Sequence, residues 1–250
     1  MASIDLQGVS VAFPIYDASS RSLKKSLLPG RTGGRIGSDE AHTSVVRALD
    51  NVTLSMRHGD RVGLVGHNGA GKTTLLRVLA GIYEPAAGRI GVDGHVAPLF
   101  DIGLGMDAES TGYDNIYLRG LFLGMSRKEI GKRMEEIAEF TELGDFLNLP
   151  IRTYSTGMRM RLAFAVSTSI EPDILLLDEG IGAGDAAFID KANKRLGQFT
   201  EKAGIIVLAS HSDALIRKMC RTAVLMEHGR VVKVGDVESV LESYRQASQR

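Results

Sequence analysis

The sequence is poor in cysteine, and the only one it contains is Cys220. A single thiol cannot form a disulfide within its own chain, so nothing in the cysteine content calls for an oxidising compartment. The cysteine content therefore fits a protein that works in a reducing compartment.

An excess of charge of either sign is also lacking, because 30 Lys and Arg residues balance 30 Asp and Glu residues. Proteins that bind nucleic acids without regard to sequence need a basic surface. The balance therefore argues against that function, and we expect no nucleic-acid partner, although a local basic patch stays possible.

Long apolar runs are missing as well. The N-terminus lacks the charged and then apolar segments of a signal peptide. No run approaches the length of about 20 residues that a membrane-spanning helix needs. If the protein works at a membrane, we expect a separate chain to do the spanning.

What the sequence does contain is a glycine-rich stretch that fits the P-loop pattern G-x-x-x-x-G-K-[ST]. Its glycines allow backbone angles that turn successive N–H groups into one concavity. At the start of a helix, that concavity holds the phosphates of a nucleotide. We expect Lys72 to reach the outer two phosphates and to act in catalysis, and the Thr73 hydroxyl to ligate Mg²⁺. The predicted nucleotide-binding residues of this stretch are Gly66, His67, Asn68, Gly69, Ala70, Gly71, Lys72, Thr73 and Thr74.

The pattern is informative only when a strand precedes it and a helix follows it. Residues 61–65 are apolar enough for a short buried strand, and residues 74–80 have the pattern of a helix that Gly81 ends. A glycine-rich turn with a chance lysine would lack both neighbours. The context therefore favours a true P-loop.

Polar side chains follow two further apolar runs of the strand type. Asp178 and Glu179 come directly after residues 174–177, and His211 follows residues 205–209. Ligands of parallel α/β sheets bind at the carboxyl ends of the strands. We expect Asp178 to serve Mg²⁺, Glu179 to orient and deprotonate an attacking water, and His211 to bind the terminal phosphate as a further catalytic residue. Taken alone, Asp178 and Glu179 could be surface carboxylates, and the P-loop upstream argues against that. A histidine at a helix start without a ligand would be the better interpretation of His211 if it stood alone.

Two further features are less specific. Ser155 and Gly157 lie at the start of a predicted helix, where N–H groups can bind an anion, but many helices begin this way. Phe13 and Tyr16 follow a predicted first strand at 3–12. Either aromatic could stack on adenine or lie at the edge of the core.

The remaining elements follow from hydrophobic periodicity. We predict strands at 45–56, 88–94, 96–100, 223–226 and 230–234, a loop at 29–38, and a closing helix at 237–246. Between 101 and 171 the pattern is helical throughout, with Thr111 and Ser126 at positions typical of N-caps. The sequence thus predicts an α/β fold in which a helical block interrupts a strand-containing core.

The order of these motifs resembles the ATP-binding subunit of ABC transporters over almost the whole chain. The resemblance implies ATP with Mg²⁺ and a P-loop NTPase core with a mainly parallel sheet. It also implies an N-terminal antiparallel β subdomain and an inserted α-helical subdomain. We expect a single domain over 1–250, with its core at about 1–100 and 172–250 and its helical subdomain at about 101–171.

The same resemblance assigns roles to individual residues. Ser155 and Gly157, in Tyr-Ser-Thr-Gly-Met, match the signature sequence that binds the nucleotide held by the other subunit of a head-to-tail dimer. Asp185 matches the loop that couples the two sites. Tyr16, or else Phe13, matches the aromatic that stacks on adenine.

One position departs from the family pattern. The family usually has a glutamine after the strand at 96–100, facing Mg²⁺ and the membrane subunit, and Asp101 stands there in this chain. We therefore expect the metal ligands to be Thr73, Asp178 and Asp101.

Four stretches narrow the resemblance to one subgroup, the exporters of lipid-linked polysaccharides such as O-antigen, capsule and teichoic acid. These stretches are 99–106, 111–118, 123–130 and the insert at 17–44. Some members of the subgroup carry a C-terminal sugar-binding domain, and we expect none here.

The expected function is an ATPase that drives export of a lipid-linked polysaccharide, with O-antigen the leading cargo, through a separate polytopic permease. We expect a homodimer of the ATPase in a two-plus-two complex, peripheral to the cytoplasmic face of the inner membrane. We predict that the apolar loop with Leu104 and Met106 docks on the partner, unless it packs on the helical block instead. The alternatives are an exporter of another lipid or a drug, a soluble ABC ATPase acting on nucleic acid or ribosomes, and a non-hydrolysing binding module.

Overall fold

The computed structural model describes residues 1–14, 35–38, 44–101, 103, 105–178 and 186–248. Its strands are β1 Ser3–Pro14, β2 Arg35–Ser38, β3 Ser44–Arg57, β4 Arg61–Val65, β5 Ala87–Asp93, β6 Val96–Leu99, β7 Ile174–Asp178, β8 Ile205–Ala209, β9 Thr222–Glu227 and β10 Arg230–Asp236. Its helices are α1 Lys72–Leu79, α2 Gly112–Phe122, α3 Arg127–Thr141, α4 Thr156–Ser167, α5 Ala186–Lys202, α6 Asp213–Met219 and α7 Val237–Ser248. Within the described residues, short 3-10 helices lie at Gly144–Asn148 and Ile151–Thr153.

The chain divides into two compact units. The first consists of residues 1–94 and 205–250, and the second of residues 95–204. None of the described helices combines the length and the apolar character that a membrane crossing requires.

The first unit contains an antiparallel sheet with the strand order β2-β3-β1-β5. Alternate residues of β1 face its core, so Ile4 and Leu6 are fully buried. Across the sheet they pair with Met56 and Leu54 of β3, which are buried as well. This sheet is the N-terminal antiparallel β subdomain that the resemblance predicted.

Part of the predicted loop at 29–38 is a strand. Residues Arg35–Ser38 form β2, which pairs with β3 so that Ile36 lies opposite Val46. Backbone hydrogen bonds to an exposed sheet edge need no apolar pattern in the added strand. Glycine-rich composition therefore gave the wrong prediction for these four residues, and the rest of the loop lies outside the described residues.

The first unit also contains strands in the order β10-β9-β4-β8. Strand β4 pairs in parallel with both β8 and β9, and β10 closes an antiparallel hairpin with β9. All five residues of β8 are buried, as expected for a strand of a covered parallel sheet. Helices α1 and α7 pack on these strands.

The second unit combines the parallel strands β6 and β7 with helices α2 to α5. The predicted caps are present. The Thr111 hydroxyl accepts from the Asp114 N–H and the Ser126 hydroxyl from the Glu129 N–H, and each of these carboxylates accepts in turn from the N–H of its capping residue. The helices enclose an apolar cluster that includes Ile116, Leu123, Ile137, Phe140, Leu147, Tyr154, Leu162, Phe164 and Phe188.

Met106 packs against that cluster and is half-buried. Met106 therefore packs on the helical block, as the alternative predicted, and docking of its exposed part on a partner stays a prediction. Leu104 lies outside the described residues.

Candidate nucleotide-binding site

The phosphate-binding loop follows β4 and leads directly into α1. Gly69 and Gly71 have φ angles of +81° and +104°, in the left-handed region that favours glycine. At Gly71 a Cβ would also lie 2.7 Å from the Ala48 carbonyl oxygen. The glycines of the motif are therefore required by this backbone path.

The N-terminus of α1 is open to an anion. Gly71 is the N-cap and offers no side-chain hydrogen bond, and the first turn holds no acidic residue. By contrast, Thr111, Ser126 and Ser155 use their hydroxyls to cap α2, α3 and α4. Uncapped N–H groups and the positive end of the helix dipole together favour phosphate.

Lys72 brings a positive charge into this loop. The residue is only 8% exposed, and its Nζ donates to the carbonyl oxygens of Gly66 at 2.6 Å and His67 at 3.2 Å. An ammonium held among loop carbonyls is placed to meet a phosphate that enters the same loop.

The loop is supported from behind by the β9–β10 hairpin. The Gly229 N–H donates to the Ala70 carbonyl at 3.0 Å, and the Asp50 N–H donates to the Gly229 carbonyl at 2.9 Å. A Cβ at Gly66 would clash with the Met226 carbonyl. The loop conformation is therefore fixed by tertiary contacts as well as by its own sequence.

His211 and the phosphate-binding loop both follow the carboxyl ends of neighbouring parallel strands. Leu64 of β4 lies opposite Ala209 of β8, so these two parallel strands end together. His211 follows β8 and is exposed, and Ser212 caps α6 by accepting from the Leu215 N–H. This placement agrees with the position expected of a residue that meets the terminal phosphate, and its role stays a prediction.

The two described carboxylates expected at the metal lie at the ends of neighbouring strands of the second unit. Asp178 is the half-buried last residue of β7, and Leu177 pairs with Leu99 of β6. Asp101, two residues after β6, is exposed and has a φ angle of +47°. Glu179 and Asp185 lie outside the described residues.

Oxygen ligands of this kind suit Mg²⁺, which usually takes one or two carboxylates together with substrate phosphates and water. In the described ranges, no group of three or more His, Cys, Asp or Glu side chains is arranged to hold a metal ion. The carboxylates of Asp178 and Asp101 are donors of the kind taken by a Mg²⁺ ion that arrives with a nucleotide.

The predicted signature residues line a cavity of about 330 Å³. Ser155 is the N-cap of α4, and its Oγ accepts from the Met158 N–H at 3.2 Å. Gly157 faces open space, since a Cβ there would meet only the Ser155 Oγ at 3.8 Å. The helix start is therefore accessible within the cavity, as an anion-binding end must be.

Arg161 also lines this cavity, and our sequence analysis did not select it. Its guanidinium lies over the Phe188 ring at 4.8 Å and pairs with Glu142 at 3.7 Å. A basic residue one and a half turns after Ser155 was the signal that could have identified it, because it adds positive charge to the same helix end.

Of the two aromatics predicted to stack on adenine, the structure describes Phe13. The Phe13 ring meets the Tyr83 ring edge-on, with centroids 5.1 Å apart, and Phe13 remains 36% exposed. Arg77 donates to the Tyr83 hydroxyl at 3.3 Å. Tyr16 lies outside the described residues, so the choice between the two stays a prediction.

A family model described as ABC transporter matches residues 49–182, which is more than half of the chain. The chain belongs to the ABC transporter family. The matched segment of this ABC transporter chain contains the phosphate-binding loop, the Ser155 helix start and the strand that ends in Asp178. The resemblance on which the sequence analysis relied is thereby confirmed.

Relatives of this ABC transporter chain include O-antigen export ATP-binding proteins. The chain is 50% identical to RfbE of Yersinia enterocolitica, covering 92% of this chain and 97% of the relative. It is 35% identical to RfbB of Klebsiella pneumoniae, covering 98% of each. The teichoic acids export ATP-binding protein TagH of Staphylococcus haemolyticus is 34% identical, over 98% of this chain and 88% of the relative.

Solved ATP-binding cassettes have the same fold. One, described as a dimeric post-hydrolysis state bound to ADP and Pi, gives a TM-score of 0.66 at 20% identity and covers 94% of this chain and 98% of that chain. Another, described as the ATP binding subunit of an ABC transporter, gives a TM-score of 0.67 at 22% identity and covers 97% and 93%. The predicted P-loop NTPase fold with its mainly parallel sheet is confirmed.

Proposed function

We propose that this chain is the ATP-hydrolysing subunit of an exporter of lipid-linked polysaccharide, with O-antigen as the cargo. The observation that carries the proposal is the 50% identity to an O-antigen export ATP-binding protein over nearly the full length of both chains. The phosphate-binding loop supports the ATP-dependent part, because its glycine backbone, open helix end and Lys72 are together suited to a triphosphate.

The choice of O-antigen over teichoic acid rests on the relatives. Identity is 50% to the O-antigen export protein RfbE and 34% to the teichoic acids export protein TagH. The higher value favours O-antigen, and the shared feature of both cargoes is a long glycan carried on a lipid.

ATP hydrolysis in this proposal depends mainly on positioning and charge neutralisation, as phosphoryl transfer generally does. The loop amides and Lys72 hold the phosphates, and Thr73 and Asp178 hold Mg²⁺, with Asp101 as a further ligand. When bound, Mg²⁺ neutralises charge on the outer phosphates. Glu179 accepts the proton of the attacking water.

His211 completes this proposed set of roles by donating a hydrogen bond to the terminal phosphate. His211 follows the carboxyl end of β8 and the loop follows that of the neighbouring parallel strand β4, which supports that assignment.

Two copies of the chain would close head to tail over two nucleotides. A solved cassette of the same fold is described as dimeric with ADP and Pi. In this chain, the accessible cavity at Ser155 and Gly157 offers a second anion-binding end that could complete the partner's site. Two-fold symmetry would make the two sites equivalent.

The export names of the relatives support a separate membrane partner. We propose a polytopic permease, bound in a complex of two ATPases and two permease subunits, with the ATPase peripheral to the cytoplasmic face of the inner membrane. We further propose a nucleotide-binding core at about 1–100 and 172–250 and a helical subdomain at about 101–171.

Deletion of the gene in its native host tests the proposal. Surface polysaccharide should disappear and lipid-linked glycan should accumulate inside the cell. The parent gene should restore export and Lys72→Ala should not. Chemical analysis of the accumulated glycan separates O-antigen from teichoic acid. Unchanged surface glycan in the deletion strain would contradict the proposed cargo.

A further inference from the structure

The rings of two histidines lie beside the phosphate-binding loop, and neither ring has been given a role, although the backbone of His67 belongs to the predicted nucleotide-binding loop. The ring of His67, in the loop, and the ring of His228, at the tip of the β9–β10 hairpin, have centroids 5.2 Å apart and planes inclined at 59°. His67 is half-buried and His228 is exposed, so solvent reaches the pair.

His228 lies at the tip of a tight hairpin. Glu227 pairs with Arg230, so His228 and Gly229 form a two-residue hairpin loop. Both have positive φ angles, +49° and +79°. Such loops favour Asn-Gly, and histidine, like Asn and Asp, is one of the non-glycine residues found most often in the left-handed region. The hairpin therefore presents the His228 imidazole at its exposed tip.

The tautomer of His67 suits metal binding. Its Nδ1 lies 2.7 Å from the Asn68 carbonyl oxygen, which can only accept, so Nδ1 carries the hydrogen. In the neutral ring this leaves the lone pair on Nε2. Histidines that ligate metals usually donate their other ring N–H to a carbonyl or carboxylate in this way.

The separation of the two rings is compatible with two imidazoles that share one metal. A metal lies about 2.0–2.1 Å from a ligating nitrogen, and therefore about 3.2 Å from the ring centroid. For angles of roughly 90° to 109° at the metal, the centroids would lie about 4.5–5.2 Å apart. The observed separation of 5.2 Å falls at the upper end of that range.

Hydrogen bonds and an ion pair fix the two backbone segments that carry the rings. The Gly229 N–H donates to the Ala70 carbonyl, and the Asp50 N–H donates to the Gly229 carbonyl. Arg230 also pairs with Asp50 at 2.6 Å. The hairpin tip is thus joined to the loop at Ala70 and to β3 at Asp50, which limits the backbone movement between the two histidines and favours a metal site.

We propose that His67 and His228 form a two-imidazole site for a transition-metal dication that joins the phosphate-binding loop to the hairpin tip. Imidazole pairs suit Cu²⁺, Ni²⁺ and Zn²⁺ rather than Mg²⁺. Water fills the remaining coordination positions, and the site is separate from the Mg²⁺ that accompanies the nucleotide.

The test uses Cu²⁺ alone, with the untagged full chain and no nucleotide, so it does not depend on ATPase activity. Calorimetry gives the affinity, and electron paramagnetic resonance counts the coordinating imidazole nitrogens. The parent should bind one tight equivalent through two imidazoles. His228→Asn should weaken that site at least about tenfold and leave one imidazole, since a ligand is lost outright. His67→Gln, which removes the other imidazole, should also weaken the site at least about tenfold and leave one imidazole.

His58→Asn is the matched control, because His58 also precedes a glycine in an exposed turn. It should bind Cu²⁺ like the parent. Asn is favoured at position 228, so His228→Asn should fold, and thermal unfolding confirms this. A single imidazole in the parent, or equal loss in His58→Asn, would overturn the proposal and leave the two rings as a packing contact only.

Discussion

At the scale of single residues, the phosphate-binding loop shows how closely backbone and residue type are tied. Gly71 combines a positive φ angle with a Cβ position already taken by the Ala48 carbonyl. Gly91 has neither constraint, since a Cβ there would meet open space. The two glycines therefore make a matched pair for substitution.

Gly71→Ala should destabilise the chain by about 1–3 kcal/mol, because the loop must leave its left-handed conformation or displace β3. It should also abolish ATP binding, since the amides no longer converge. Gly91→Ala should change stability and ATP binding only slightly. Thermal unfolding and nucleotide titration measure the two effects, and a fully stable Gly71→Ala chain that binds ATP would refute this account of the loop.

A buried residue that the sequence did not reveal is Arg119. It is 2% exposed on α2, and its guanidinium donates to the Ser167 Oγ at 2.9 Å. Burial lowers the pKa of Arg119 to about 10. Arginine is normally a surface residue, so periodicity alone places it outside, and only the packing of α2 on α4 shows otherwise.

At the scale of elements, serine caps serve two purposes in the second unit. Ser126 caps α3 and is bonded in return by Glu129, whereas Ser155 caps α4 at the edge of the signature cavity. Both hydroxyls satisfy a helix N–H. Only the second lies where we propose that nucleotide binds.

Ser126→Ala and Ser155→Ala should each cost about 1 kcal/mol of stability, the usual value of a lost N-cap. The ATPase assay is run at a temperature at which both variants are fully folded. Activity should then fall only in Ser155→Ala. Denaturant unfolding and steady-state ATPase assays separate the two effects. Equal activity of both variants would remove Ser155 from the nucleotide site.

The same cap predicts a pH effect. The Ser126 hydroxyl and backbone N–H hold the pKa of Glu129 below its ordinary value of 4.5. A lowered carboxyl pKa gives stability that is present above the ordinary value and is lost as pH falls through the folded pKa. In Ser126→Ala, nuclear magnetic resonance titration should find the Glu129 pKa higher than in the parent. An unchanged pKa would mean that the hydroxyl has no influence on the carboxyl.

Elements were predictable where a local signal was strong. The apolar runs of β7 and β8 and the capping residues of α2 and α3 identify these elements without tertiary information. Helix α5 was not predicted, although Phe188, Ala192 and Leu196 repeat at helical spacing and pack on the unit's core. The edge strand β2 has no pattern of its own and depends on the neighbouring β3.

At the scale of the whole molecule, motif order was the strongest predictor. Each motif alone has a plain structural alternative, but their sequence from P-loop to His211 identified the family. The role of each site residue depends on geometry with a nucleotide and a second copy, which a single chain's sequence cannot supply. For that reason Asp101 and the adenine aromatic stay predictions.

Glu179→Gln tests the dimer, because it should bind ATP while losing almost all turnover. Trapped nucleotide should then hold two copies together, so the variant should elute as a dimer with ATP and Mg²⁺ and as a monomer without them. Adding Ser155→Arg should prevent the dimer. Full ATPase activity of Glu179→Gln would contradict the role assigned to Glu179.

The most direct test of the central claim is titration of the purified chain with ATP and Mg²⁺. The parent should bind saturably, and Lys72→Ala should bind at least about tenfold more weakly, because a charge-assisted hydrogen bond to phosphate is lost. Lys202→Ala removes an exposed lysine that pairs with Glu171 and should match the parent. A folded parent that shows no saturable binding of ATP, or a Lys72→Ala chain that binds it equally well, would contradict the account.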